Sequence, residues 1–215
     1  MTHRLLDKYR YILWDWNGTL LDDVALCVGV MNTLLKRRGM DPLSIERYIE
    51  IFDFPVMEYY RKIGFDFERE PFEKTAIEFI EEHTKRRFDC GLHNDVETAL
   101  QAAADRGMGQ SILSATETQS LGEYVEHFGI HGFFEDMVGQ GDHYAKGKIE
   151  TGRQWMRKRG IAPESLVLVG DTVHDSEVAE ALGIDCILIA RGHHPRQKLE
   201  TTQRPTFSAI AELFE

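Results

Sequence analysis

Short apolar runs alternate with longer stretches of helical periodicity along this chain. Four runs are rich in β-branched, aliphatic or aromatic residues, and each is followed by small or polar residues, which is typical of buried parallel strands. They are "YILW" at residues 11–14, "QSILS" at 110–114, "SLVLVG" at 165–170 and "CILIA" at 186–190. Strands that alternate with helices favour an α/β fold whose parallel sheet is covered on both faces.

The predicted helices between these strands have recognisable ends. The first covers residues 95–106, and Asn94 with Glu97 has the spacing of a capping box at its start. Glycine is the residue that most often follows a helix. The helical stretches are accordingly expected to finish at Gly107, Gly129, Gly160 and Gly183.

Residues 22–88 follow a different pattern, because helical periodicity continues there without a strand-like run. Three amphipathic stretches predict helices at residues 24–38, 54–63 and 71–88. We therefore expect two domains. Residues 1–21 and 89–215 form the α/β core, and residues 22–88 form an inserted helical domain.

Composition and charge narrow the classes of partner. The 25 basic and 36 acidic residues give a net charge of −11, which repels nucleic acid, and no basic stripe overrides it. The three cysteines are far apart, so free thiols in a reducing compartment are expected. The sequence has neither a membrane-spanning apolar run nor the apolar middle of a signal peptide. These features predict a cytoplasmic protein without a membrane or nucleic-acid partner.

Asp15 follows the first predicted strand, where ligands bind in open α/β sheets. A carboxylate at this place can act as a nucleophile or as a metal ligand. Gly18 lets the backbone approach an anion closely, and Thr19 adds a hydroxyl. The alternative is that Asp15 only opens a turn, because Asp, Asn and Gly are common turn residues.

Two further groups have the chemistry of an anion site. Ser114 ends the second predicted strand, and Ala115 with Thr116 is expected to open the next helix, whose free N–H groups attract anions. An ordinary helix cap is the alternative. Lys146 lies before a later helix and can neutralise phosphate charge. Lys148 is close enough to compete with it, and a solvated surface lysine is the alternative for either.

Asp171 directly follows the strand "SLVLVG", and Asp175 lies four residues further on. Two carboxylates one helical turn apart beside a strand end suit Mg²⁺, which prefers oxygen ligands. The alternative is a helix cap with an acidic residue stabilised by the helix dipole in the first turn.

Taken in order, "DxxGTL", a strand-end serine, a lysine and "GDTxxD" resemble the haloacid dehalogenase-like hydrolase superfamily. The segments "GIAPESLVLVGDTVHD" and "RGHHPRQKL" look like its phosphoglycolate phosphatase-like branch. The helical insert also lies where that branch carries its cap. The resemblance implies a Rossmann-like core with a helical cap and a magnesium-dependent phosphatase. Its expected partner is a small phosphorylated metabolite, and it is expected to act as a monomer or homodimer.

The resemblance also implies a role for each site residue. Asp15 would attack phosphorus and form an aspartyl-phosphate. Mg²⁺ would be held by Asp15, by the backbone carbonyl of Asn17 and by Asp171. Asp175 would orient a water of the metal or bind the metal directly. The phosphoryl oxygens would be bound by Ser114, Lys146 and the turn around Asp15, so the implied phosphate site comprises Gly18, Thr19, Ser114, Ala115 and Lys146.

Asn17 departs from the family pattern, which has a second aspartate at this position. That aspartate would protonate the leaving oxygen, and an amide cannot, because it does not titrate near neutral pH. General acid–base catalysis typically contributes ~10²–10⁴-fold to a rate, which is roughly 3–5 kcal/mol of barrier. The chain is therefore a slow phosphatase suited to acyl phosphates or aryl esters, or another group supplies the proton. The candidates for such a group are His83, His174, His193 and His194.

Two other functions stay open at this stage. Phosphonate-cleaving relatives carry a non-acid at this position after a tryptophan, as Trp16 is here, and they need a cap lysine for a Schiff base. Lys36, Lys62 and Lys74 are candidates for that lysine. The other alternative is a catalytically silent protein that binds a phosphate ligand.

Overall fold

The computed structural model describes residues 5–140 and 147–215. Its principal feature is a six-stranded sheet in which neighbouring strands are parallel. The strands of this sheet are β1 (Tyr11–Trp14), β4 (Gly109–Glu117), β5 (Asp136–Gln140), β6 (Leu166–Gly170), β7 (Asp185–Ile189) and β8 (Thr206–Phe207). A separate antiparallel pair consists of β2 (Leu21–Asp22) and β3 (Gly91–Leu92).

The strand order β5-β4-β1-β6-β7-β8 determines where a ligand can bind. From β1 the chain builds β4 and β5 on one side, and it then returns to build β6, β7 and β8 on the other. The carboxyl ends of β1 and β6 therefore meet where the direction of winding reverses. In open α/β sheets, a crevice at this place is the usual ligand site.

The strand β1 is buried on both faces, which explains its unbroken apolar sequence. Side chains alternate across a strand, so Ile12 and Trp14 pack into one hydrophobic cluster while Tyr11 and Leu13 pack into another. Helices cover both clusters, as a parallel sheet requires. The predicted α/β fold with a Rossmann-like sheet is confirmed.

The helices fall into two groups along the chain. Four of them lie between β2 and β3, and their side chains form a third hydrophobic cluster that includes Leu34, Tyr59 and Tyr60. These are α1 (Val24–Arg37), α2 (Ile45–Ile51), α3 (Val56–Ile63) and α4 (Phe72–Arg86). The others alternate with the strands of the sheet: α5 (Val96–Asp105), α6 (Thr118–His127), α7 (Gly147–Arg159), α8 (Val173–Leu182) and α9 (Arg196–Glu200). The predicted domain boundaries at residues 21/22 and 88/89 stay a prediction.

Several elements differ from the sequence expectation. The short helix α2 and the edge strands β5 and β8 were not predicted, because each is short and only partly apolar. The predicted strand at residues 110–114 extends to Glu117, which pairs with Gln140 of β5 after an irregularity in register.

The expected capping box of Asn94 and Glu97 is wrong. The helix α5 has Asp95 at its N-cap position, and this side chain makes no capping hydrogen bond. Its carboxylate instead accepts hydrogen bonds from the Arg191 guanidinium and from the backbone N–H of Ala211. A long-range ion pair has taken the place of a local cap.

Within residues 5–140 and 147–215, no helix combines the length and the apolar character needed to cross a bilayer.

Candidate active site

The first strand positions Asp15 at the edge of the sheet. Its backbone N–H donates to the carbonyl oxygen of Val169 on β6 over 2.8 Å, so the chain stays in register with β6 up to this residue. Asp15 is buried, with 7% of its surface exposed. Gly18 then turns the chain with a φ of 72°, and a Cβ there would overlap Asp171 and His193. Only glycine fits this turn.

Three carboxylates converge beside this turn. Asp15, Asp171 and Asp175 each offer an oxygen atom, and these atoms lie within 4.8 Å of one another at buried positions. Asp171 directly follows β6, and Asp175 lies in the first turn of α8. Neighbouring parallel strands have therefore brought together residues that are far apart in the sequence.

Asp175 is also part of the N-terminal cap of α8. Its Oδ2 accepts hydrogen bonds from the backbone N–H of Thr172 over 3.0 Å and from Thr172 Oγ1 over 2.7 Å. Thr172 Oγ1 in turn accepts from the backbone N–H of Asp175, which completes a capping box. The predicted capping role is therefore filled by Oδ2 of Asp175, while its Oδ1 contacts a lysine.

That lysine is Lys148, in the first turn of α7. Its ammonium group lies 2.6 Å from Asp15 Oδ1 and 2.5 Å from Asp175 Oδ1, and only 5% of the side chain is exposed. Lys146, which the resemblance assigns to phosphate binding, lies outside the described residues. Among the described residues, Lys148 has the placement that was expected of Lys146.

The buried charges shift one another's pKa values. Burial, followed by the charge of Asp175, raises the pKa of Asp15 well above its usual range. Burial likewise raises the pKa of Asp171 to about 6. Burial also opposes ionisation of Asp175, but the Lys148 ammonium outweighs it and holds that pKa low. Three carboxylates with one ammonium leave an excess of negative charge that a bound cation would relieve.

The amide of Asn17 is held in one orientation. Its Nδ2 donates to Asp23 Oδ2 over 2.7 Å, and its Oδ1 accepts from the hydroxyl of Thr116 over 2.7 Å. An ionised carboxylate can only accept hydrogen bonds, so the nitrogen of the amide must face Asp23.

Asp23 was not predicted as a site residue from the sequence, although it lies at the centre of the site. It is fully buried, and its Oδ1 accepts from the backbone N–H of Gly18 over 2.9 Å. His193 Nε2 lies 3.2 Å from the same oxygen, and His193 Nδ1 lies 2.8 Å from the hydroxyl of Tyr48 on α2. The second acid of "LLDD", directly before a helix, was the available signal.

Asp23 and His193 form a buried ion pair. Burial opposes ionisation of Asp23, yet the positive charge of His193 and the hydrogen bond from Asn17 lower its pKa to about 2. Burial also opposes protonation of His193, but Asp23 outweighs it and raises its pKa to about 9. The imidazole is therefore an imidazolium at neutral pH, with one N–H toward Asp23 and the other toward Tyr48.

Ser114 lies beside the Asp15 turn but not at a helix start. It is buried on β4, the neighbour of β1, and its Oγ accepts from the backbone N–H of Thr116. The expectation that Ala115 and Thr116 open the next helix is wrong, because β4 continues and α6 begins at Thr118. The carboxylate of Glu117 caps that helix by accepting from Gln119 N and Ser120 N.

The structure brings two of the four candidate histidines close to Asp23. His193 is one of them, as described above. The other is His83, which stacks on Phe79 within α4 and has a ring nitrogen within 4.8 Å of the Asp23 carboxylate and the Cys27 thiol. His194 accepts a hydrogen bond from the backbone N–H of Val173. His174 contacts Phe54, a residue of the α2–α3 connection, and Glu177.

A profile of the family described as haloacid dehalogenase-like hydrolase matches residues 12–189. The chain belongs to this family. The hydrolase is 23% identical to a phosphoglycolate phosphatase of Synechococcus elongatus over 87% of each chain. It is 24% identical to a 5'-nucleotidase of Pseudomonas aeruginosa over 94% of this chain and 92% of that one.

A solved structure supports the same fold. The haloacid dehalogenase-like family protein SP0104 of Streptococcus pneumoniae superposes with a TM-score of 0.84 at 18% identity, covering 96% of this chain and 97% of that one. The predicted superfamily and the predicted hydrolase class are confirmed, and the relatives support a phosphatase acting on phosphorylated compounds.

Proposed function

We propose that this hydrolase cleaves a small phosphorylated metabolite through an aspartyl-phosphate formed on Asp15, with Mg²⁺ as the cofactor. The observation that carries the proposal is the convergence of Asp15, Asp171 and Asp175 on one buried point with Lys148 beside them. These groups come from β1, β6, α8 and α7, so the fold as a whole assembles them.

The donor set suits Mg²⁺. The converging side chains offer only carboxylate oxygens, which is the ligand chemistry that this ion prefers. One ammonium compensates only one of the three carboxylate charges, so a divalent cation would balance the other two. The residues that would hold the ion are Asp15, Asp171, Asp175 and, through its backbone carbonyl, Asn17. When bound, Mg²⁺ neutralises charge on the phosphoryl oxygens.

The chain's own residues supply the nucleophile and part of the phosphate site. A carboxylate oxygen of Asp15 attacks phosphorus, and Lys148 shares its ammonium between Asp15 and the phosphoryl oxygens. The hydroxyl of Ser114 and the backbone N–H of Thr19 complete the anion site, whereas the backbone N–H of Gly18 donates to Asp23. Because phosphoryl transfer depends mostly on positioning and charge neutralisation, this arrangement is sufficient for the chemistry.

Phosphate release from a panel of phosphorylated metabolites, with and without Mg²⁺, tests the proposal. We expect activity that needs the metal and falls at least a hundredfold in Asp15→Asn, because the carboxylate nucleophile is lost. Asp105→Asn makes the same change at an exposed position of α5 and serves as the control. Mass spectrometry of protein quenched during turnover is expected to find the phosphoryl group on Asp15.

The alternatives predict other outcomes of the same experiment. A silent phosphate-binding protein would bind Mg²⁺ and phosphate without releasing phosphate from any compound. Phosphonate cleavage needs a lysine at the site, but Lys36, Lys62 and Lys74 are all exposed on the helices where they lie. A borohydride trap that captured a lysine adduct with substrate would nevertheless favour that chemistry over ours.

A further inference from the structure

An aspartate, a cysteine and a histidine meet at a second place in the molecule, outside the carboxylates around Asp15. A carboxylate oxygen of Asp23, the sulfur of Cys27 and a ring nitrogen of His83 all lie within 4.8 Å of one another. Asp23 is buried, and the other two residues are half-buried. Oxygen, sulfur and nitrogen donors in one place are the ligand chemistry of zinc sites.

Two helices bring these three side chains together. Asp23 directly precedes α1, and its carbonyl oxygen accepts from the backbone N–H of Cys27 over 2.9 Å. The two residues are therefore one helical turn apart and lie on the same face of the helix. His83 comes from α4, which is held against α1 by an ion pair of 3.0 Å between Arg37 and Glu82.

The imidazole of His83 has a nitrogen available for a ligand. Among residues 5–140 and 147–215, neither ring nitrogen of His83 makes a hydrogen bond, and the ring stacks on Phe79 with its centroid 5.9 Å away. Burial lowers the pKa of His83, so the imidazole is neutral at neutral pH. A neutral imidazole keeps a lone pair on one nitrogen, which is the form that binds metals.

The other two ligand atoms already have the spacing of a metal site. The sulfur of Cys27 lies 3.6 Å from Asp23 Oδ2. A tetrahedral zinc ion, with Zn–S near 2.3 Å and Zn–O near 2.0 Å, holds two such atoms about 3.5 Å apart. Asp23 Oδ2 accepts from Asn17 and from the Cys27 thiol. An ion would therefore take the place of the thiol proton and leave the hydrogen bond from Asn17 intact.

The charges of the three ligands suit a divalent ion. Burial, followed by the charge of Asp23, raises the pKa of Cys27 well above its usual range, so the thiol keeps its proton until a metal displaces it into the solvent. The thiolate and the Asp23 carboxylate then balance the two charges of the ion. The imidazolium of His193 opposes a cation here, but it contacts Asp23 Oδ1, the oxygen away from the thiol.

We propose that Asp23, Cys27 and His83 form a second metal site, which binds Zn²⁺ in preference to Mg²⁺. Thiolate and imidazole ligands select Zn²⁺, whereas Mg²⁺ prefers oxygen ligands. Three protein ligands leave the fourth tetrahedral position to a water molecule. The bound ion joins α1 to α4. This site uses none of the groups around Asp15, so it does not depend on the proposed phosphatase activity.

Cobalt is the probe that distinguishes this site from the carboxylates around Asp15. Co²⁺ occupies tetrahedral zinc sites, and a thiolate bound to it gives a charge-transfer absorption in the near ultraviolet that carboxylates alone do not give. Metal-free protein is titrated with Co²⁺ without oxygen and in excess Mg²⁺. We expect this absorption to saturate at one equivalent and to disappear when Zn²⁺ is added. No charge-transfer absorption would overturn the proposal.

Substitutions identify the ligands. Cys27→Ser is expected to abolish the charge-transfer absorption. His83→Gln is expected to weaken binding of Co²⁺ and Zn²⁺ by roughly a hundredfold or more, because even a residue that only orients a ligand contributes about 10–100-fold. Cys90→Ser is the matched control, since Cys90 is also half-buried but lies outside the cluster, directly before β3. It is expected to keep the absorption, as is Asp171→Asn.

Thermal unfolding gives a second measurement. Melting curves without metal show that each variant is folded, and Zn²⁺ is expected to raise Tm in the unaltered protein and in Cys90→Ser but not in Cys27→Ser. Charge-transfer absorption that persists in Cys27→Ser would place the ion on another thiol and overturn the proposal. Its loss in folded Cys90→Ser or Asp171→Asn would show that the ligand set is wrong. Absence of phosphatase activity would leave this metal site unaffected.

Discussion

At the scale of single residues, the site depends on which lysine reaches Asp15. Lys148 is buried in a contact with Asp15 and Asp175, although most lysines are solvated at the surface. Burial opposes its charge, but the two carboxylates outweigh that cost and hold its pKa above the usual value. A charged ammonium beside Asp15, the proposed nucleophile, is suited to binding a phosphoryl group.

Lys148→Met is therefore expected to lower kcat/KM by roughly 10²–10³-fold, the usual cost of removing one group that stabilises a transition state electrostatically. Lys158→Met changes an exposed lysine of the same helix and is expected to leave kcat/KM unchanged. Steady-state kinetics at saturating Mg²⁺ measure both. Full activity in Lys148→Met would transfer the role back to Lys146.

At the scale of elements, the helices between β2 and β3 contact the site through α2. The hydroxyl of Tyr48 on α2 is hydrogen-bonded to His193, and His193 pairs with Asp23. Asp23 in turn accepts hydrogen bonds from Asn17 and Gly18 in the turn after β1. This chain of hydrogen bonds joins a helix that lies between β2 and β3 to the loop that carries Asp15. Displacing α2 would therefore disturb the turn around Asp15.

Tyr48→Phe removes one hydrogen bond from this chain. We expect it to lower the free energy of unfolding by about 1 kcal/mol, as is usual for a net hydrogen bond, and to raise KM more than it lowers kcat. Tyr59→Phe is a matched control, because its buried hydroxyl has no hydrogen-bond partner within the described residues. Urea unfolding and kinetics of both variants check the prediction. Equal effects of the two substitutions would contradict it.

A second contact between elements, around His194, makes the free energy of unfolding depend on pH. His194 is buried beside Lys198, whose ammonium lies 3.0 Å from Asp53 in the α2–α3 connection. Burial, with the nearby positive charge of Lys198, lowers the pKa of His194 to about 4. The folded protein therefore holds this imidazole neutral at pH values where an unfolded chain would protonate it.

Between pH 6.5 and 4, His194 is protonated in the unfolded state but stays neutral in the folded state. The free energy of unfolding must therefore fall as the pH falls through this window. The ordinary histidine pKa is the upper limit and the lowered value is the lower one. The loss amounts to roughly 3 kcal/mol at most. Denaturant unfolding at a series of pH values measures it, with His194→Gln as comparison. An equally steep loss in that variant would assign the dependence to other groups.

At the scale of the whole molecule, the strands and helices that could be predicted are those whose sequence shows a clear hydrophobic periodicity. The four buried strands and the helices beside them could be predicted, because their residues are buried on defined faces. The strand β5 could not, since "DMVGQ" at the edge of the sheet is only partly buried. Asn94 was expected to cap α5, but a distant arginine changed the role of its neighbour Asp95.

The candidate site shows the same division. Asp15, Asp171 and Asp175 could be expected together, because the ends of parallel strands meet at one edge of the sheet. Asp23 could not, since its importance comes from contacts with His193 and Tyr48, which lie far away in the sequence. The sequence also could not show that Lys148 contacts Asp15, because this depends on which way the first turn of α7 directs its side chains.

The charge balance of the whole molecule leads to a last prediction, which concerns the metal. The chain carries a net charge of −11, and its buried site holds two more carboxylates than ammonium groups. A divalent cation that binds there neutralises buried charge only in the folded state. By mass action it must stabilise that state, by roughly 2.7 kcal/mol at a hundred times its dissociation constant.

We therefore expect Tm to rise with Mg²⁺ concentration and to return to its starting value when EDTA is added. In Asp171→Asn the increment is expected to be lost, because a carboxylate ligand becomes an amide, whereas Asp105→Asn at the surface keeps it. Equal ionic strength of KCl must not reproduce the increase, since screening of surface charge acts on the whole molecule and not on one site. A rise that KCl matches, or one that Asp171→Asn preserves, would place the ion elsewhere and would remove the charge argument for a metal beside Asp15.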